Sequence, residues 1–343
     1  MEKEKMSGKK KVLIILGIVL GVCILIIAAA YFVLHHYHSK SNYVKDDQVQ
    51  QMDEEELADE DKNDVSDSMT EEEQKAAEEE AAKIQSEVVI PDGDDVYNIL
   101  LIGSDRRDTS WYGNSDVMML ASVNKNTRKI HLTSFMRDSY ALVDGYGAHK
   151  LNFAYAVGGG PKLVSTIEQN YRLSIDNYAS GDFTSTASII DMLGGVEITV
   201  SDAEAEQINQ GAIGDHENLP GAGTYNLTGN QAVAYGRIRY VGNADYERTE
   251  RQRKVMAQIF KKAQSLSVGE LNDLANEILP MITHNISETD MISLLTSLPA
   301  IMNYDLELGR VPYDGMFSVK GEMLVPDWEA TITKLHSTIY AEE

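Results

Sequence analysis

Five of the chain's eleven arginines fall within 17 residues: Arg237, Arg239, Arg248, Arg251 and Arg253. A guanidinium is a planar fork of donors that grips phosphate or carboxylate oxygens two at a time, so this density predicts an oxyanion site. Spacing strengthens the reading. In Gly236-Arg-Ile-Arg-Tyr240 a strand would project Arg237 and Arg239 to one face, because side chains alternate along a strand. On a following helix Arg248, Arg251 and Gln252 stand at i, i+3 and i+4, again one face. Asp245 and Glu250 supply the plain alternative of surface ion pairs, which four facing arginines outweigh.

Two carboxylates join them. Asp105 sits in Gly103-Ser-Asp-Arg-Arg107, and Asp116 follows Asn114-Ser115. Both stand at strand ends, where open α/β sheets place ligands, and oxygen ligands of this kind suit Mg²⁺ bridging a pyrophosphate. A turn aspartate and a strand-start cap would explain the same pair without a metal. Arg137 and Asp138 close a third strand, and Lys150 precedes Leu151-Asn-Phe-Ala-Tyr155; each alone is an ordinary surface charge. Standard catalytic signatures are absent: no GxSxG, no GxGxxG, no HExxH, and no GxxxxGK[ST] despite Gly158-Gly-Gly-Pro-Lys162. The single cysteine, Cys23, excludes a disulfide framework, a thiolate zinc site and a CxxC redox pair. His35, His36 and His38 lack a carboxylate partner at fixed spacing and read as headgroup-level residues beside a membrane, not as a metal site.

The elements that must hold these groups can be read in outline. Val96 to Gly103, Val117 to Val123 and Ile130 to Phe135 are short apolar runs that predict buried strands. Helical spacing marks Asn152 to Tyr171 and Phe183 to Leu193, the second closed by Gly194-Gly195 before the strand-like Val196 to Val200. Ala234 to Tyr240 reads as a strand, followed by a helix from near Tyr246 to about Ala263. From Leu266 to Tyr340 come two helical stretches and short strands around Leu306 to Val311 and Met323 to Val325. The mixture predicts the α/β class: an α-β-α sandwich with a mixed central sheet, spanning residues 93–343 as one domain.

What precedes the domain fixes its expected compartment. Val12 to Leu34 is 23 residues without a charge, roughly 35 Å as a helix and enough for a hydrocarbon core of about 30 Å. It is too long for the h-region of a cleaved signal peptide and predicts one retained transmembrane helix. Residues 1–11 carry Lys3, Lys5, Lys9, Lys10 and Lys11, so the leader is expected in the cytoplasm and the remainder outside. Residues 35–92 read as an acidic spacer: from Asp46 to Glu80, 17 acidic residues face Lys62 and Lys75, a net of −15 in 35 positions. Low hydropathy and like charge there predict disorder and extension, apart from a solvated helix started by the Thr70/Glu73 capping box. The whole chain carries −24, which argues against a polyanion binder held by its overall field.

YNILLIGSDRR, NSDVMML, SFMRD, KLNFAYAVGGG, DMLGGVEITV, LTGNQAVAYGRIRY and DYERTERQRKV occur in an order and spacing that resemble the LytR-CpsA-Psr family of bacterial cell-envelope enzymes, from about Tyr97 to Ala263. The resemblance implies a phosphotransferase that moves an anionic glycopolymer, such as wall teichoic acid or capsule, from a polyprenyl pyrophosphate carrier to peptidoglycan. It implies Mg²⁺ (or Mn²⁺) on Asp105 and Asp116, and a pyrophosphate grip by Arg107, Arg137, Arg237, Arg239, Arg248 and Gln252, with Lys150 beside them. Arg137, Arg237, Arg239 and Asp105 are then the catalytic set. Where the family often has an arginine two residues before the second aspartate, this chain has Asn114.

Such chemistry is positioning and charge stabilisation: a sugar hydroxyl attacks the phosphorus next to the glycan and polyprenyl phosphate leaves. It predicts a slot between apolar strand and helix faces for the lipid tail. A non-catalytic receptor for polyprenyl-linked glycans is the main rival. A nucleic-acid-binding envelope regulator conflicts with the external topology and the domain's acidity. A two-carboxylate glycosidase leaves the arginines unexplained.

Overall fold

The computed structural model describes residues 35–57, 68–91, 93–104, 112–242 and 244–342. The predicted leader 1–11 and membrane helix 12–34 lie outside them. Among the described residues no helix is long and apolar enough to cross a membrane.

In chain order come β1 (Asn42–Tyr43), α1 (Glu71–Glu87), β2 (Val96–Ser104), β3 (Ser115–Asn124), β4 (Lys129–Phe135), β5 (Tyr140–Val143), β6 (Gly147–Lys150) and α2 (Phe153–Tyr171). β7 (Asn177–Asp182), α3 (Phe183–Met192), β8 (Val196–Val200), α4 (Asp202–Gly211), β9 (Gly223–Leu227), α5 (Gly229–Arg237) and α6 (Ala244–Gln264) follow. Then come α7 (Val268–Ile278), β10 (Thr283–His284), α8 (Glu288–Ile301), β11 (Asp305–Val311), β12 (Phe317–Lys320), β13 (Met323–Pro326) and α9 (Trp328–Ile339). The central sheet runs β1-β10-β7-β2-β3-β4-β11. β2 pairs in parallel with β7 and antiparallel with β3, and β4 pairs in parallel with β11, so the sheet is mixed as expected.

Period-two alternation sends the strands' side chains to two different layers. Leu100 and Ile102 of β2, with Met118 and Leu120 of β3, enter a core completed by Phe153, Leu163 and Ile167 of α2 and by Trp328 and Leu335 of α9. Leu101, Gly103, Val117 and Met119 face the opposite way, toward α3, α5 and α6. Beyond that gap a second core joins Ile190, Val196, Ile198, Ile208, Leu227 and Tyr235.

The glycine run explains itself here. Gly158 and Gly159 break α2 with non-helical backbone, Gly159 at φ +59°, and Pro161 restarts the helix where no amide donor is needed. A Cβ on Gly160 would stand 2.2 Å from the Tyr178 ring, so only glycine lets this turn lie on β7.

Two expectations are corrected. Ala234 to Tyr240 is not a strand: Thr228 and Gln231 form a capping box, and the helix α5 runs through Arg237 before an extended turn. The alternation in AYGRIRY was the end of a helix followed by a turn. The segment 35–92 is likewise not a free extension in its described parts. β1 joins the sheet, Met52 donates its amide to the Val157 carbonyl at 2.8 Å, and Leu57 and Met69 are buried. α1 starts at the predicted capping box, but Ala77, Ala81 and Ile84, at i, i+4 and i+7, bury against the α2/α9 core instead of facing water. Small residues at helical spacing give a weak hydropathy signal and still permit close approach.

Candidate active site

The site forms where β3 begins, β4 ends and the α5–α6 turn crosses above them. Asp116, second residue of β3, receives a hydrogen bond from Arg137 Nη1 at 2.7 Å on its Oδ1. Arg239 Nη2 approaches the same oxygen at 3.8 Å and Arg248 Nη1 at 3.9 Å. Three guanidiniums from three parts of the chain therefore converge on one carboxylate oxygen. Arg137 also lies 3.5 Å from Asp138, which is 3.3 Å from Lys150 Nζ; Lys150 in turn meets Glu322 at 3.3 Å. Positive charge exceeds negative at the centre of this network, a field suited to an oxyanion.

Arg248 is only 3% exposed whereas Arg239 is 47% exposed, so the cluster has a fixed floor and an open rim. Arg237 ends α5 and lies with its guanidinium carbon 4.8 Å from the Phe183 ring centre, a cation–π contact at the start of α3. Gln252 Nε2 donates to the Gly236 carbonyl at 3.2 Å. Phe183, Gly236 and Gln252 all line an apolar cavity of about 190 Å³ between the sheet and α3, α5 and α6. Leu101, Met119, Val233, Val255, Met256 and Ile259 form its walls. Arg237 thus stands against Phe183, one wall of an apolar slot between strand and helix faces of the kind the sequence reading expected.

Of the predicted residues, the structure brings together Asp116, Arg137, Arg239 and Arg248, sets Arg237 and Gln252 at the adjoining mouth, and joins Lys150 through Asp138. Asp105 and Arg107 lie outside the described residues, as do Arg106 and Cys23. Arg251 does not face the site. Its guanidinium donates to Glu204 at 2.7 Å, Glu247 at 2.8 Å, and the carbonyls of Ile238 and Val241 at 3.3 and 3.0 Å. It pins the turn that carries Arg239 and is a positioning residue. Burial works against the Glu204 charge, but Arg251 and the Ser201 cap hold this carboxyl below its ordinary range. Sequence reasoning gave no role to Asp138, whose adjacency to Arg137 was the available signal, nor to Phe183, which carried none.

Donor chemistry bears on the implied metal. Asp116 offers a hard carboxylate oxygen, as Mg²⁺ prefers, but among the described residues no group of three or more His, Cys, Asp or Glu side chains gathers here. A divalent ion beside three guanidiniums fits when the remaining ligands are anionic, as diphosphate oxygens are.

The mixed α/β sandwich thus sets an arginine cluster beside an apolar slot. The profile of the LytR_cpsA_psr family matches residues 60–336, and the chain belongs to that family. It is 31% identical over 246 residues to biofilm regulatory protein A of Streptococcus mutans, covering 66% of this chain and 57% of that protein. It is 31% identical over 235 residues to the polyisoprenyl-teichoic acid–peptidoglycan teichoic acid transferase TagT of Bacillus subtilis, covering 64% and 72%. Among solved structures, Bacillus subtilis TagT superposes with a TM-score of 0.56 at 24% identity over 75% of this chain and 96% of that one. TagT with bound octaprenyl pyrophosphate lipid gives 0.53 at 24% identity, with the same coverage. These superpositions bear on the fold.

Proposed function

We propose that the chain transfers an anionic glycopolymer, of the teichoic acid or capsule kind, from a polyprenyl pyrophosphate carrier to peptidoglycan. One observation carries the reading: the arginine cluster sits at the mouth of an apolar cavity, which matches a ligand with a diphosphate head and a hydrocarbon tail. The cavity takes the first part of the tail. Arg237, at the mouth, and Arg239 and Arg248, around Asp116, hold the diphosphate in line for attack. A peptidoglycan sugar hydroxyl forms a bond to the phosphorus next to the glycan, the bridging P–O bond breaks, its electron pair leaves with polyprenyl phosphate, and the hydroxyl's proton passes to that phosphate or to solvent. The guanidiniums stabilise the charge that develops on the equatorial and leaving oxygens, an effect that fixed donors supply without reorganisation. Arg137 keeps Asp116 aligned, and Arg251 keeps Arg239 over the site.

Mg²⁺ (or Mn²⁺), held by Asp116 and by Asp105, would supply further charge neutralisation on the diphosphate. The run 12–34 would anchor the protein in the cell membrane by one helix, with the N-terminus cytoplasmic and the domain outside. The test uses the full chain in detergent with a polyprenyl-pyrophosphate glycan and peptidoglycan oligomers. Release of polyprenyl phosphate with formation of a phosphodiester-linked product is expected; donor binding without any transfer would sink the proposal in favour of a receptor.

A further inference from the structure

Arg253 plays no part in the site above, yet it is only 8% exposed. Its Nη1 is buried with no hydrogen-bond partner, and among the described residues it forms no ion pair. An unpaired charge taken out of water is among the most expensive things a fold can keep. Its neighbour makes matters worse. Arg310 carries the same charge, and burial first, then Arg310, bring the Arg253 guanidinium down to about 10 against a weaker pull from Glu250. Glu250 is itself engaged by Lys254 at 2.7 Å.

Strand register shows what else is there. Ser134 pairs with Met119 across β3 and β4, and Met119 lines the cavity, so Ser134 points into the layer beneath α6. Arg310 is the parallel partner of Ser134 and shares that face; its guanidinium carbon lies 4.7 Å over the Tyr246 ring. Arg253 follows Tyr246 by two turns on the same side of α6. Ser134 Oγ is buried and, like Arg253 Nη1, has no hydrogen-bond partner. Arg310 Nη1 donates to the Pro312 carbonyl at 3.2 Å and to Met136 Sδ at 3.6 Å, and its Nη2 donates to Asp314, whose side chain is 90% exposed. No carboxylate of the described residues closes on Arg253.

We infer that Arg253, Arg310 and Ser134 form a second oxyanion site, reached from the β11 edge of the sheet and suited to a phosphate group. Arg253 supplies a fork of donors, Arg310 a second positive charge beside it, and the Ser134 hydroxyl a third direction, the complement of a tetrahedral oxyanion. The site is separate from the Asp116 cluster: Arg248 and Arg253 are roughly 7.5 Å apart along the helix rise. It stands whether or not the chain is a transferase.

The test titrates inorganic phosphate into the full chain in detergent, without lipid donor, by calorimetry. Wild type is expected to show two classes of phosphate site. Arg253→Met and Arg310→Met should each remove one class while keeping the class that Arg239→Ala removes. Arg253→Met without phosphate should melt at or above the wild-type temperature, since no internal partner is lost. Arg253→Lys keeps the charge without the fork, and about tenfold weaker binding at this class is expected. Isotherms that match wild type in both Arg253→Met and Arg253→Lys would overturn the site, as would a drop in melting temperature for Arg253→Met. A poly(glycerol phosphate) oligomer that displaces phosphate from the Arg253-dependent class identifies a polymer as the source; retention of phosphate in its presence identifies the free ion.

Discussion

The two faces of the central sheet are covered alike and filled differently. Under α2 and α9 the layer is solid: Trp328, Tyr140, Tyr171 and Phe153 are each less than 2% exposed and interlock with the strands. Under α3, α5 and α6 the strands present Leu101, Met119 and Ala179 to a cavity of about 190 Å³ that no side chain fills. Arg237, Arg239 and Arg248 stand on the hollow side. On the proposed function, packing and ligand binding fall to two different layers of one sheet.

That division can be broken deliberately. Trp328→Ala on the solid face should lower unfolding free energy by about 3–5 kcal/mol, read by denaturant titration; a loss under 1 kcal/mol would mean the two faces do not differ as described. Arg239→Ala, at the rim, should slow transfer from a lipid-pyrophosphate donor by about 10²–10³-fold. Its melting temperature should stay at the wild-type value, because the side chain is half exposed. A matched pair of insertions sharpens the contrast. Ala156→Leu on the solid face should cost about 1–3 kcal/mol, whereas Ala179→Leu in the cavity should leave stability unchanged or raised while weakening binding of a polyprenyl phosphate. Equal destabilisation by the two would show that the hollow is not available space.

The smallest effect concerns pH. His284 of β10 is 1% exposed, accepts from the Ile286 amide at 3.1 Å, and is pushed down to about 4 by burial and then by His38. Its folded value lies below its unfolded value of about 6.5, so the unfolded chain binds the extra proton between them. Full stability should therefore hold above about pH 6.5 and decline progressively toward about pH 4. His284→Asn should flatten the slope of melting temperature against pH in that window, and an unchanged slope would reject the assignment.

Much of the solid face was legible in the sequence. β2, β3 and β4 announce themselves by dense apolar runs, and α2 by its spacing up to Tyr171. The hollow face was harder, because its elements are built from small and polar residues. The alternation of Arg237 and Arg239 in Ala234 to Tyr240 made the end of α5 look like a strand, and nothing local distinguishes a helix that lines a cavity from one that packs. At the site, residue type and spacing singled out Asp116, Arg239 and Arg248, whereas Arg137 alone read as a surface charge and entered only through the family resemblance. Arg251 shares their type but not their role, because its decisive partner, Glu204, lies 47 positions upstream and only the fold brings them together. The burial of α1 was hidden for a related reason: two of its three inward residues are alanines, which carry little hydropathy.

The first described residues give the molecule a bearing. His35 meets Glu288 at 3.2 Å, Tyr37 donates to Asn272, Lys40 reaches Asn276 at 3.2 Å, and β1 then locks onto β10. Residue 35 therefore leaves the domain from a fixed place beside α7 and α8. A membrane helix ending at Leu34 would act as a mast set in a socket, and the heading of the arginine rim relative to the bilayer would be decided at that joint, not by the acidic stretch that follows it.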